Sequence, residues 1–178
     1  NYLGDGRKFG VKIKYIVPGE DFGTAGAVKL SEKYIKDKFI VISGDVLTDF
    51  NLTGISNFHN SKNTIATLSL YSSNNPIQYG IVLTNKQDRI VRFLEKPSSS
   101  EVFSDTINTG IYIFNKEIFD HIPPGESYDF SKDLFPSLLK NNIPIFGYKT
   151  KGYWRDVGNL DEYIEANMDT LKGKLSYI

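Results

Sequence analysis

Two aspartates stand where a chain can do phosphate chemistry. Asp45 follows the apolar run Phe39-Ile40-Val41-Ile42, which stops at Ser43-Gly44, and Asp156 lies in Gly152-Tyr153-Trp154-Arg155-Asp156-Val157-Gly158, also between a short apolar segment and a turn. A carboxylate at a strand end can hold a hard cation, and a magnesium ion bridging to substrate phosphates needs only one or two protein carboxylates. The plainer alternative is a turn cap, since an Asp side chain often bonds its own backbone two residues on. Spacing alone leaves open whether the two acids meet.

Three further clusters carry polar chemistry. In Glu95-Lys96-Pro97 a carboxylate and an ammonium sit side by side. Adjacent strand side chains point to opposite faces, but the proline marks irregular backbone that lets both reach one ligand. Glu95 suits sugar hydroxyls and Lys96 a phosphate; a solvated charge pair is the alternative. Gly23-Thr24-Ala25-Gly26-Ala27 puts small residues at a helix entry, where a flat ligand can approach the backbone or a helix can pack closely on a strand. Asn108-Thr109-Gly110 offers polar groups to a sugar or marks an irregular strand position, and Glu20 or Asp21 is either a guanine-edge acceptor or a solvated loop charge.

These residues need a scaffold. Alternating residues 11–17 predict a strand, 24–37 a helix, and 39–45 a strand buried on both faces, hence a parallel sheet covered by helices. A helix at 52–60 and a strand at 64–71 continue a β-α-β-α-β succession, whose crossovers are right-handed. Residues 80–83 and 90–94 flank a turn and predict a hairpin. Thr106–Phe114 predicts another strand, and helices follow at 117–122 and 129–139, with Asp129 or Ser131 as a cap. Strands at 143–148 and 153–154 and a closing helix Leu160–Leu171, stopped by Gly173, complete a single α/β domain over 1–178.

Composition excludes several classes. With 21 Lys plus Arg against 21 Asp plus Glu there is no field to draw nucleic acid or an anionic membrane. The absence of cysteine excludes disulfides, thiolate metal sites and a cysteine nucleophile, and the two histidines, His59 and His121, are too few for a histidine-rich zinc site. No apolar run is long enough to span a bilayer, so a cytoplasmic location is expected.

Taken together, Phe22-Gly23-Thr24-Ala25-Gly26-Ala27, Ser43-Gly44-Asp45, Tyr79-Gly80-Ile81-Val82, Phe93-Leu94-Glu95-Lys96-Pro97, Ile107-Asn108-Thr109-Gly110-Ile111-Tyr112 and the segment 152–158 resemble the sugar-1-phosphate nucleotidylyltransferases, most closely the mannose-1-phosphate guanylyltransferase-like branch. The resemblance implies a Rossmann-like nucleotidyltransferase fold, a mixed and mostly parallel sheet flanked by helices. It implies transfer of a nucleotidyl group from a nucleoside triphosphate, GTP favoured, to a sugar 1-phosphate, giving a nucleotide sugar and pyrophosphate; a homo-oligomer is compatible with it. By the same resemblance Asp45 and Asp156 hold magnesium, Gly23 and Thr24 lie against the base, Gly80, Glu95, Asn108 and Thr109 contact the sugar, and Lys96 its phosphate.

One departure from the family pattern stands out. Family members begin with a strand and a glycine-rich loop carrying an arginine and a lysine that grip the triphosphate, whereas Gly4-Asp5-Gly6-Arg7-Lys8 follows no strand. The expectation is of a partial domain lacking that first strand and phosphate loop, ending where many relatives start a left-handed β-helix, with little or no turnover by these residues alone. A non-catalytic regulatory or assembly subunit with the same fold is the rival reading. A glycosyltransferase is disfavoured by the lack of an Asp-x-Asp pair at one strand end.

Overall fold

The structure is a computed structural model and describes residues 2–176; Asn1, Tyr177 and Ile178, the ends of the expected 1–178 domain, lie outside the described residues. In chain order the regular elements are α1 (Gly23–Lys29), β1 (Phe39–Ile42), β2 (Val46–Thr48), α2 (Leu52–Lys62), β3 (Ala66–Ser72), β4 (Gly80–Thr84) and β5 (Ile90–Glu95). They continue with β6 (Thr106–Phe114), α3 (Phe135–Lys140), β7 (Phe146–Lys149), β8 (Trp154–Asp156) and α4 (Leu160–Leu171). The main helices start on side-chain caps: Asn51 accepts from the Gly54 amide at 2.9 Å and Asn159 from the Glu162 amide at 2.9 Å.

The spine is β6, whose β-branched and aromatic residues suit a pleated, buried surface. β3 pairs with one edge of it, antiparallel. The other edge is shared: β1 pairs with residues 111–114 of β6, and β4 meets it only at Ile107. β5 extends the sheet beyond β4, and β7 lies parallel to β3. Period-2 alternation along β6 divides the core between the two faces of the sheet: Tyr112 and Phe114 join Phe130, Phe135 and Phe119 on one face, while Ile111 and Ile113 pack with Phe50 and Ile55 on the other. Among the described residues no helix is long and apolar enough to cross a membrane.

The sheet is mixed and flanked by helices, as expected, but it is not mostly parallel. β1 and β3 run the same way, yet β6 is inserted antiparallel between them, so β3 with β7 is the parallel pair. β1 is also not buried on both faces: Phe39 and Val41 pack against the main core, whereas Ile40 and Ile42, on the opposite face, are exposed.

Residues 11–17 form no strand, because side-chain alternation does not make one without an edge to pair with, and here the backbone bonds run from the Val11 amide to the Gly6 carbonyl at 3.2 Å and from the Ile13 amide to the Asp5 carbonyl at 2.9 Å. The helix expected over 24–37 ends near Lys29. The Ser31 hydroxyl and amide both donate to the Val28 carbonyl, at 2.6 Å and 2.9 Å, which diverts the chain into a 3-10 turn at Glu32–Tyr34. The helix expected at 117–122 is a 3-10 helix, Lys116–His121, with Ile122 extended beyond it, and 129–139 opens with a wide π turn, Phe130–Leu134, before α3. Pro136, which has no N–H to donate back, sits at the junction. His59 is buried within the core, its ring nitrogens bonded to Thr67 Oγ1 at 2.9 Å and Asn115 Oδ1 at 3.0 Å.

Candidate active site

A cavity of about 740 Å³ opens where the chain leaves β1 and the edge of β6 passes from β1 to β4. Asp45, Asp156, Glu95, Lys96, Gly80, Thr24, Asn108 and Thr109 all line it. Gly23 does not, and neither do Glu20 and Asp21.

Asp45 and Asp156 meet through a two-stranded ribbon. β2 and β8 pair antiparallel with Val46 opposite Asp156, and the Val157 amide donates to the Asp45 carbonyl at 2.7 Å. Burial pushes the Asp156 carboxyl above its ordinary value, and the Asp45 and Glu162 charges push the same way against the pull of Lys96. Two carboxylates of like charge, Asp156 half-buried and Asp45 exposed, are a donor set that fits a hard divalent cation. Among the described residues no group of three or more acids or histidines is present, so the remaining coordination positions would fall to water and phosphate oxygens, as magnesium accepts.

Glu95 ends β5 and Lys96 is the next residue, yet both reach the cavity. The reason is local: Lys96 has φ +44° immediately before Pro97, a left-handed conformation that breaks the strand alternation. Strain of this kind is characteristic of functional sites. Burial raises the Glu95 carboxyl, the Asp129 charge adds to the rise, and Lys96 and Ser131 oppose it. Gly80 faces Glu95 across the hairpin, and a Cβ there would fall 2.6 Å from Glu95 Oε2 and 2.8 Å from Phe93 Cζ.

The remaining expected residues are engaged differently. Thr24 Oγ1 donates to Asp129 Oδ2 at 2.8 Å and accepts from the Phe130 amide at 3.0 Å, tying α1 to the π turn. Gly23 is explained by packing, since its φ is +64° and a Cβ would sit 2.7 Å from the Tyr128 carbonyl oxygen. Asp21 accepts from the Gly23 amide at 2.9 Å and so caps the turn into α1. Asn108 Nδ2 donates to Tyr112 Oη at 2.9 Å and Ser131 Oγ at 3.2 Å. Thr109 Oγ1 donates to the Ser69 carbonyl at 2.9 Å. The last two therefore brace the cavity more than they offer free groups to it.

Sequence reasoning missed the segment 129–132, which lines the cavity with Asp129, Ser131 and Lys132; the one signal was the capping role of Asp129, whose Oδ1 accepts from the Ser131 and Lys132 amides at 2.8 Å and 3.0 Å. It also missed Tyr79 and Trp154 as cavity residues. Their rings pack edge to face at 5.3 Å, and the indole Nε1 donates to the Thr109 carbonyl at 3.0 Å, which presents an aromatic surface beside Asp156.

The family model described as "Nucleotidyl transferase" matches residues 1–173. UTP--glucose-1-phosphate uridylyltransferase of Synechocystis sp. is 36% identical over 99% of this chain and 48% of its own length. Mannose-1-phosphate guanylyltransferase of Mycobacterium tuberculosis is 34% identical over 96% of the chain and 48% of its own length. A Bacillus anthracis structure described as a glucose-1-phosphate thymidylyltransferase superposes with a TM-score of 0.82 at 25% identity, covering 94% of this chain and 68% of that one. The chain thus spans about half the length of the curated relatives it matches. Its α/β architecture is the Rossmann-like one of these structural neighbours, and the chain belongs to the nucleotidyl transferase family.

Proposed function

We propose that the protein transfers a nucleotidyl group from a nucleoside triphosphate to a sugar 1-phosphate, and that this chain supplies the sugar-phosphate pocket and the cation-holding carboxylates. The observation that carries the proposal is the convergence of Asp45 and Asp156, far apart in sequence, on the cavity that Glu95 and Lys96 also enter. In the reaction an oxygen of the sugar phosphate forms a bond to the α-phosphorus while the bond from that phosphorus to the leaving pyrophosphate breaks. No covalent enzyme intermediate is needed, so the protein's work is alignment and charge neutralisation.

Each group has a part in that work. A magnesium ion, when bound, neutralises phosphate charge and orients the attacked phosphate. Asp45 and Asp156 would hold it. Lys96, lifted out of strand geometry, places an ammonium where the sugar phosphate enters, and Glu95 accepts from sugar hydroxyls in the space that Gly80 leaves clear. Tyr79 and Trp154 shield the phosphates from water on the side of Asp156.

GTP with mannose 1-phosphate is the pair favoured by the sequence motifs, and the guanylyltransferase relative at 34% identity is in keeping with it; the uridylyltransferase relative at 36% puts UTP with glucose 1-phosphate on an equal footing in the test. A homo-oligomer belongs to the same reading. The test is a screen of triphosphates against sugar 1-phosphates with the protein that carries this chain, reading pyrophosphate release with and without Mg2+. One pair should turn over in a Mg2+-dependent way. Asp45→Asn and Asp156→Asn should each lower turnover by about a hundredfold or more, since metal-borne charge stabilisation is worth several kcal/mol. Release of no pyrophosphate from any pair, or wild-type rates in both variants, would overturn the proposal.

A further inference from the structure

We propose that Arg155 and Asp169 are positioning residues of the two-carboxylate site, acting from behind β8: their ion pair clamps the β2–β8 ribbon to α4 and thereby sets Asp156 against Asp45. The inference rests on the proposal that those two carboxylates hold a divalent cation.

The ribbon's own pairing is slight, and on the cavity side it is held by Val46 and Trp154 against the core face of Ile111 and by the indole's bond to the Thr109 carbonyl. β2 and β8 are 3 residues each and form a separate two-stranded sheet, an arrangement only marginally stable alone. Alternation along β8 and Tyr153, the residue before it, splits the side chains by task. Trp154 and Asp156 line the cavity, while Tyr153 and Arg155 do not and instead engage α4. Arg155 Nη2 lies 3.0 Å from Asp169 Oδ2, Arg155 Nε donates to Tyr153 Oη at 2.9 Å, and Tyr153 Oη donates to the same Asp169 oxygen at 2.9 Å. Arg155 Nη1 also pairs with Glu162, and Lys174 Nζ reaches Asp169 Oδ1 at 2.6 Å. One helix face thus grips one strand face through a forked guanidinium.

Asp169 is buried, at 1% exposed. Ion pairs taken out of water are a poor route to stability, because desolvation offsets most of the attraction; their best-attested use is to fix one arrangement among several. Here the arrangement fixed is that of β8 on α4. Since Asp156 is the neighbour of Arg155 on a strand of 3 residues, any slip or rotation of β8 moves its carboxylate directly.

The test reads cation binding at a temperature where every variant is folded. Mn2+ is titrated by electron paramagnetic resonance into wild type, Asp169→Asn, Arg155→Lys and, as a remote control, Lys62→Met, which breaks the Lys62–Asp88 pair away from the cavity. Asp169→Asn and Arg155→Lys should each weaken Mn2+ binding by roughly tenfold, the loss typical of groups that orient metal ligands without touching the metal. They should also shift the emission of Trp154, the single tryptophan, in the metal-free protein. Lys62→Met should change neither. Should Asp169→Asn fail to fold, Arg155→Lys, which keeps the charge but loses the fork, decides the matter. Wild-type Mn2+ affinity in the folded variants overturns the positioning role and leaves the cation site standing. No Mn2+ binding by wild type overturns both.

Discussion

At the scale of single residues the cavity is built on conflicts that its ligands would relieve. The clearest is at Asp156, where burial first and the Asp45 charge second disfavour ionisation. A carboxyl whose folded pKa lies above its unfolded value withdraws stability above that pKa and returns it as pH falls. Asp156→Asn should therefore not lower the melting temperature at neutral pH, although it removes a cation ligand; differential scanning calorimetry checks this. In carboxyl-detected NMR of the metal-free chain, the Asp156 midpoint should lie above 3.8 and fall part of the way back in Asp45→Asn, because the burial contribution stays. Gly80 is a second conflict. An added methyl in Gly80→Ala meets Glu95 Oε2 and Phe93 Cζ, so Glu95 must move, and calorimetric titration should find sugar 1-phosphate binding weakened while overpacking costs about 1–3 kcal/mol in urea unfolding.

At the scale of elements, what could be read from the chain depended on whether a segment's pattern was local. β6, α2 and α4 declare themselves, because alternation, an Asn cap and a terminal Gly all lie within the segment. The place of β1 at an edge, the insertion of β6 between β1 and β3, and the lack of a strand at 11–17 depend on partners distant in sequence. The candidate acids were legible for the same local reason, whereas the 129–132 segment was not, because what aims it at the cavity is its bond from Thr24. α4 buries a face that its apolar stripe does not mark: in this chain Leu160, Tyr163, Ile164, Met168 and Leu171 are all exposed, and the helix buries Ala166 and Asp169. Leu171→Ser and Ile164→Ser should accordingly each change the stability of this chain by no more than about 0.5 kcal/mol, whereas Ala166→Leu should cost about 1–3 kcal/mol. Chemical denaturation of the three variants distinguishes this from a helix packed on its apolar side.

At the scale of the whole molecule, two acids fasten the last part of the described chain to the body. Lys174 and then Tyr153 hold the Asp169 carboxyl down to about 2 against its burial. Burial alone would raise Asp49, but the Ser176 and Tyr153 amides, at 2.8 Å and 2.6 Å, more than offset it and leave its pKa lowered. The main core holds no such carboxylate, resting on the apolar faces of β3 and β6 and the aromatic cluster around Phe114 and Phe135; its own acid-sensitive group is the buried His59, which burial holds below the ordinary imidazole value. A carboxyl whose folded pKa is depressed contributes stability that is complete above its unfolded value and lost as pH falls through the folded one. For Asp169 that window runs from about 3.8 down to about 2. Acid should thus release α4 and residues 172–176 before it melts the sheet: hydrogen exchange measured between pH 4 and pH 2 should show protection of the α4 amides falling while the amides of β3 and β6 remain protected. In Asp169→Asn the α4 amides should exchange faster already at pH 5, with the difference from wild type shrinking as pH approaches 2. Uniform loss of protection across α4 and β6 would mean that the helix and the sheet unfold as one cooperative unit, with no separate attachment for acid to undo.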